Sequence, residues 1–131
     1  IVGCQLFSEP GAGSDVLSMK LRAEDKGGYY VLNGSKMWIT NSLQADFFCL
    51  LANTSDDKPH VNKSMIIVPA KTAGISFSEP LNKLGMRSTT TAEVYFDNVT
   101  ISDDRRIRHT PRLCLLCFPG VNTFVCSLHI T

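Results

Sequence analysis

The sequence predicts an all-β fold, an antiparallel sandwich or barrel of about seven or eight short strands with an irregular C-terminal tail. Three observations carry that reading. Apolar residues alternate with polar ones, as in Leu17, Met19, Leu21 and Ala23 against Ser18, Lys20, Arg22 and Glu24. That is the period of a strand with one wet face. Turn-forming clusters such as Asp25-Lys26-Gly27-Gly28 and Asp56-Asp57-Lys58-Pro59 interrupt the chain at short intervals. No stretch sustains the 3.6-residue period of an amphipathic helix.

The elements follow in order. An apolar run from Cys4 to Phe7 enters a turn carrying Pro10, Gly11 and Gly13. Pro10 fixes φ, the glycines permit positive φ, and outward N–H groups in such a loop would attract a phosphate or a polarised carbonyl. Leu17 to Glu24 reads as a strand, and Asp25 to Gly28 turns it back into Tyr29–Leu32. Asn33-Gly34 is the strongest hairpin signal in the chain, because both residues tolerate a type I′ turn. It separates Tyr29–Leu32 from a strand over Ser35–Thr40 that carries Trp38. Asn41 to Asp46 is a loop or a single helical turn. Phe47 to Ala52 is continuously apolar, as in a strand buried on both faces, and Thr54 to Lys63 is a polar surface loop. Ser64–Val68, Ile75–Phe77 and Thr91–Phe96 are further strands, and Lys36 reads as a solvated strand residue.

Thirteen Lys and Arg against twelve Asp and Glu give a net charge of +1, without a basic stripe before position 105. Nucleic acid and anionic membrane are therefore not expected partners. No apolar run approaches the roughly eighteen residues of a membrane span. The opening residues lack a signal-peptide pattern, and the strand-like start suggests that a preceding part of the protein is missing. Five cysteines are present, and Cys4 and Cys49 read as buried free thiols. Four Asn-x-Ser/Thr sequons, at Asn33, Asn53, Asn62 and Asn98, read as chance. Cys114-x-x-Cys117 with His109, Cys126 and His129 has the first spacing of a zinc knuckle but irregular later ligands and apolar surroundings. His60 lies in a polar loop and reads as solvated.

Two stretches carry the chemistry. Ser8-Glu9-Pro10-Gly11-Ala12-Gly13-Ser14-Asp15 and Asn33-Gly34-Ser35-Lys36-Met37-Trp38-Ile39-Thr40-Asn41 are followed by Leu84-Gly85-Met86-Arg87-Ser88-Thr89-Thr90-Thr91 and Val94-Tyr95-Phe96-Asp97-Asn98-Val99. Gly11-x-Gly13 alone is a poor nucleotide fingerprint, and a lone strand tryptophan is more often core than cofactor contact. Three ordered motifs are far more specific, and together they resemble the middle domain of the acyl-CoA dehydrogenase family. The resemblance covers residues 1–100. Residues 101–131 depart from it and read as a divergent tail, either a non-native continuation or disordered, with an apolar segment from Leu113 to Phe118.

The resemblance implies a β-barrel-like domain, FAD as cofactor, an acyl-CoA thioester as substrate and electron-transfer flavoprotein as electron acceptor. It also implies a homo-oligomer, in the mitochondrial matrix or, for a bacterial source, the cytoplasm. It places flavin contacts at Gln5, Leu6, Phe7, Ser8, Gly13, Ser14, Trp38, Ile39 and Thr40, with Ser14 also on the acyl-CoA side. Gln5 departs from the aromatic or apolar residue common there. No metal and no catalytic residue are assigned, since the family's base comes from a helical domain that the chain does not contain. Glu9 and Asp15 are expected to hold the loop by hydrogen bonds, and Arg87 to act as a phosphate clamp or in an ion pair. Details around Ser18–Ala23 and Tyr29–Trp38 lean toward short-branched or isovaleryl-type members. The expected function is thus a fragment of a flavin-dependent dehydrogenase that binds FAD weakly or not at all alone and does not turn over. Two rivals are a non-catalytic variant that joins full-length subunits and a β-sandwich binding module unrelated to flavin.

Overall fold

A computed structural model describes residues 1–107. Among these, eight strands form one curled sheet: β1 (Gly3–Leu6), β2 (Arg22–Asp25), β3 (Tyr29–Thr40), β4 (Phe47–Asn53), β5 (Lys63–Pro69), β6 (Ile75–Phe77), β7 (Thr91–Ser102) and β8 (Arg106–Ile107). The order across the sheet is β6-β7-β3-β2-β4-β5-β8, with β1 added against β4. The all-β, barrel-like architecture follows the expectation, but the sheet is mixed. β1 runs parallel to β4, and β2 touches β4 in parallel through Arg22 and Asn53. A period of two fixes which face a residue occupies and says nothing of strand direction.

The core lines the concave side. Leu6, Leu21, Leu32, Phe48, Leu50, Ile66, Val68, Val94 and Val99 are all fully buried, and Phe48 meets Phe77 edge-on at 6.2 Å between centroids. β4 alternates: Phe48, Leu50 and Ala52 are buried, while Phe47, Cys49 and Leu51 are only half-buried. Its apolar run therefore reflects one full face and one partly covered face, not burial on both. Cys4 is buried and Cys49 half-buried, and neither forms a disulfide among the described residues.

Three local expectations are overturned. The strand expected over Leu17–Glu24 forms only from Arg22, and Val16–Ser18 is a single 3₁₀ turn capped by the Asp15 carboxylate. The amides of Lys20 and Leu21 donate instead to the Glu9 carboxylate, at 2.6 and 3.0 Å. Asn33-Gly34 makes no hairpin, since β3 runs straight through it for twelve residues. Gly34 is there for close approach: a Cβ on it would stand 2.9 Å from the Leu21 Cα. Lys36 is not solvated but completely buried.

Strands β3 and β7 pair along their length through two bulges of opposite origin. Between Leu32↔Val99 and Gly34↔Phe96 the extra residue belongs to β7, where Asn98 has φ 51°. Between Lys36↔Val94 and Ile39↔Ala92 the extra residue belongs to β3, where Trp38 has φ 64°. Each bulge resets the alternation of its strand, so Phe96 and Val99, and likewise Lys36 and Ile39, all face inward. β7 continues to Ser102, and β8 pairs with β5, so the sheet runs past position 100. Residues 108–131, with the zinc-knuckle candidates and the Leu113–Phe118 segment, lie outside the described residues.

Candidate functional site

The two sequence motifs meet at the β3 bulge. The Met37 amide, freed from the β7 ladder by the bulge, donates to the Ser8 carbonyl at 2.9 Å. That bond seats the Ser8–Asp15 loop directly beside Trp38. A second tie runs from the Cys4 thiol to the Thr40 carbonyl at 3.2 Å. Burial pushes that thiol above its ordinary value, with nearby Cys49 adding to the effect, so it stays protonated and able to donate.

Beneath the loop lies a buried ion pair. The Lys36 ammonium donates to Glu9 Oε1 at 3.0 Å and to the Phe7 carbonyl at 3.0 Å, with Met19 Sδ at 3.9 Å. Glu9 receives the Lys20 and Leu21 amides besides. Both side chains are closed to solvent, at 0% and 6% exposure. Burial holds the Lys36 ammonium below its ordinary value, against the pull of Glu9 and with Lys63 adding to the depression. Sequence reading placed Glu9 correctly as the loop's anchor and missed its partner. The available signal was parity, because Lys36 shares the inward register of Tyr30 and Leu32.

The loop is tighter than a free N–H cradle. Glu9 and Ala12 exchange backbone hydrogen bonds, 2.9 and 3.1 Å, across Pro10-Gly11, so those two amides are used internally. Gly11 and Gly13 do not have positive φ, and a Cβ on either would meet nothing within 4 Å. Neither backbone nor packing within the described residues requires a glycine there.

Of the residues singled out in sequence, Gln5, Gly13, Ser14, Trp38 and Thr40 are exposed and Phe7 and Ser8 half-buried. Leu6 and Ile39 send their side chains into the core, at 0% and 3% exposure, which leaves their backbone to serve any ligand. Trp38 is 62% exposed despite standing mid-strand, so it is not the core filler that its strand position alone favours. Arg87 reaches no carboxylate among the described residues. Its Nε donates to the Lys83 carbonyl, and it shapes the Leu81–Thr91 turn. Behind the loop, away from Ser8 and Trp38, a cleft of about 300 Å³ is lined by Glu9, Pro10, Gly11, Ser18, Lys20, Leu21, Gly34 and Ser35. No cluster of metal-ligating side chains occurs among the described residues, and no helix there is long and apolar enough to cross a membrane.

Comparison with known proteins bears on what this surface serves. Residues 4–99 match the acyl-CoA dehydrogenase middle domain. Isovaleryl-CoA dehydrogenase, mitochondrial, from Pongo abelii is 43% identical over 123 residues, covering 92% of this chain and 29% of that protein. Short/branched chain specific acyl-CoA dehydrogenase, mitochondrial, from Bos taurus is 43% identical over 95 residues, 72% of this chain and 22% of its own length. A crystal structure of an FAD-dependent dehydrogenase superposes with a TM-score of 0.81 at 34% identity, over 87% of this chain and 31% of that one. The chain thus spans less than a third of the relatives it matches.

Proposed function

This chain belongs to the acyl-CoA dehydrogenase family, through that family's middle domain, and on that premise we propose that the Ser8–Asp15 loop and the Trp38 bulge form one wall of a site for FAD and an acyl-CoA thioester. The single observation that carries the reading is the exposed, left-handed Trp38 held against Ser8 through Met37. A bulky aromatic at φ 64° costs on the order of 1–3 kcal/mol, and such strain collects where a side chain must be aimed. An open indole face suits a flat aromatic ring system, so the residues present fit the cofactor that members of this family use. Gly11 and Gly13, with open space at their Cβ positions, leave room for a group from outside the chain to approach the backbone.

When bound, FAD supplies the hydride acceptor for α,β-desaturation of a thioester. The chain's own part is binding and orientation. Trp38 would pack against the ring, Thr40 and Ser8 would offer hydroxyl or backbone groups to it, and Gln5, Phe7 and Gly13 would complete the wall with the backbone of Leu6 and Ile39. Ser14, at the loop exit, meets the thioester side. Donor groups of this wall would stabilise negative charge on the cofactor. Neither carboxylate of the loop serves as base: Glu9 is buried and fully engaged, and Asp15 caps the Val16–Ser18 turn. The base is assigned to the remainder of the family's fold. Electron-transfer flavoprotein as acceptor, self-association, a branched short-chain substrate and the mitochondrial matrix (or a bacterial cytoplasm) complete the reading, supported by the family and by the relatives' names.

Titration of the ¹⁵N-labelled chain with FAD tests it. Weak binding is expected, with amide shifts confined to residues 5–14 and 38–40, and no desaturation of a branched acyl-CoA with a dye acceptor. Shifts concentrated elsewhere on the sheet, or turnover by the chain alone, would remove the reading.

A further inference from the structure

The Glu9–Lys36 pair is a poor device for stability alone. Desolvating both charges offsets most of their attraction, and an apolar pair of similar volume often does as well. Here the charged form of Lys36 is held at a cost, since burial outweighs Glu9 in setting its protonation. What the pair does supply is geometry. Lys36 sits one residue before Met37 and two before Trp38, on the same strand, and its ammonium grips the two residues that flank Ser8: the Phe7 carbonyl and the Glu9 carboxylate. The Met37 amide then takes the Ser8 carbonyl between them. Three consecutive loop residues are thereby registered against two consecutive residues at the β3 bulge, Lys36 and Met37, directly before Trp38.

We infer that Glu9 and Lys36 are positioning residues, a buried clamp that fixes the offset between the Ser8 loop and the Trp38 face; this inference rests on the flavin reading only for what the offset serves. The carboxylate makes the clamp directional. Its Oε2 and Oε1 also take the Lys20 and Leu21 amides, so loop entry, loop exit and β3 converge on one side chain. A hydrophobic pair filling the same space would keep the loop packed without specifying its register, because apolar contacts carry little direction.

The test uses the full chain and two readouts that do not require FAD. In Glu9→Gln, the Met37 amide is expected to exchange with solvent about tenfold faster or more, while the β4 amides of Phe48 and Leu50 keep their protection. Trp38, the only tryptophan in the sequence, is expected to lose fluorescence anisotropy in parallel. Should that variant not fold, Glu9→Leu combined with Lys36→Met removes both charges and restores packing, and the same local loosening at Met37 and Trp38 is expected. Ile66→Val serves as a control that weakens the core without touching the clamp. Met37 exchange that is unchanged, or that rises only in step with Phe48 and Leu50, would overturn the inference. FAD titration of the same proteins separates the two readings. FAD shifts centred away from residues 5–14 and 38–40, while Met37 responds as described, sink the flavin assignment and leave the clamp standing. Wild-type binding that persists unaltered in a loosened Glu9→Gln variant sinks the clamp's service to the site.

Discussion

The two bulges in the β3–β7 ladder solve one geometric problem with opposite residues. At the β7 bulge stands Asn98, a residue that tolerates the left-handed region, and it is fully accommodated: its amide donates to Asn33 Oδ1 at 2.9 Å. The neighbouring Asp97 amide donates to Gly74. At the β3 bulge stands Trp38, which suits that backbone poorly and is left largely in solvent. The difference separates a bulge that serves the sheet from one that uses the sheet to present a side chain. Strain with a structural remedy beside it belongs to the fold, whereas a strained, bulky side chain left exposed among the described residues points outward.

Substitutions can break or sharpen that contrast. The largest effect is expected at Gly74→Ala, on the turn covering the β7 bulge. A Cβ there would lie 2.4 Å from the Asp97 carbonyl oxygen at φ 90°, and urea unfolding should register a loss of about 3 kcal/mol. A loss under about 1 kcal/mol would mean that this bulge is not built into the fold. Trp38→Gly comes next. Relief of backbone strain works against lost packing and the added freedom of glycine in the unfolded chain, so stability should stay within about 1 kcal/mol of the parent. A drop of about 3 kcal/mol would instead make Trp38 a structural residue and erase the distinction. Asn98→Gly should change the unfolding free energy measured in urea by only a few tenths of a kcal/mol, because the αL position is already tolerated.

The smallest effect is expected from pH. Lys36 has an ordinary value of 10.5 that burial lowers in the folded chain. Its unfolded form therefore binds the proton more readily, and the stability it contributes is present above 10.5 and lost as pH falls through the folded value. Relative to Lys36→Met, which does not titrate, the parent should gain stability as pH is raised toward 10.5. Paired denaturant titrations between pH 8 and about 10.5 measure that difference directly, and a gap that widens the other way would contradict it.

Much of this was legible in the residues, and the failures share one cause. Apolar runs and alternation located most of the strands, though Phe48 and Leu50 face the core at every second position where the continuous apolar run predicts a strand buried on both faces. The spacing of three motifs identified the family, and the Ser8 loop and Trp38 do lie together. What sequence misread were residues whose local preference is overruled from across the sheet. Asn33-Gly34 has every local property of a turn, yet Leu21 needs the glycine's open face and the Asn98 amide needs the Asn33 side chain. Lys36 has the chemistry of a surface residue until Glu9 arrives from 27 positions away. The strand expected at Leu17 loses its amides to that same carboxylate. Local patterns report what a segment prefers, and only tertiary partners decide whether it is granted.

The parallel seating of β1 has a temporal consequence. Gly3 and Leu6 find their places against Phe47 and Leu50, so β1 has no partner strand until β4, more than forty residues later, has been synthesised. Closing so long a loop is slow compared with zipping a hairpin. A nascent chain halted before Leu50 would hold the β2–β3 ribbon with β1 unpartnered, and the bulge that turns the indole outward would wait until β7 closes the ladder.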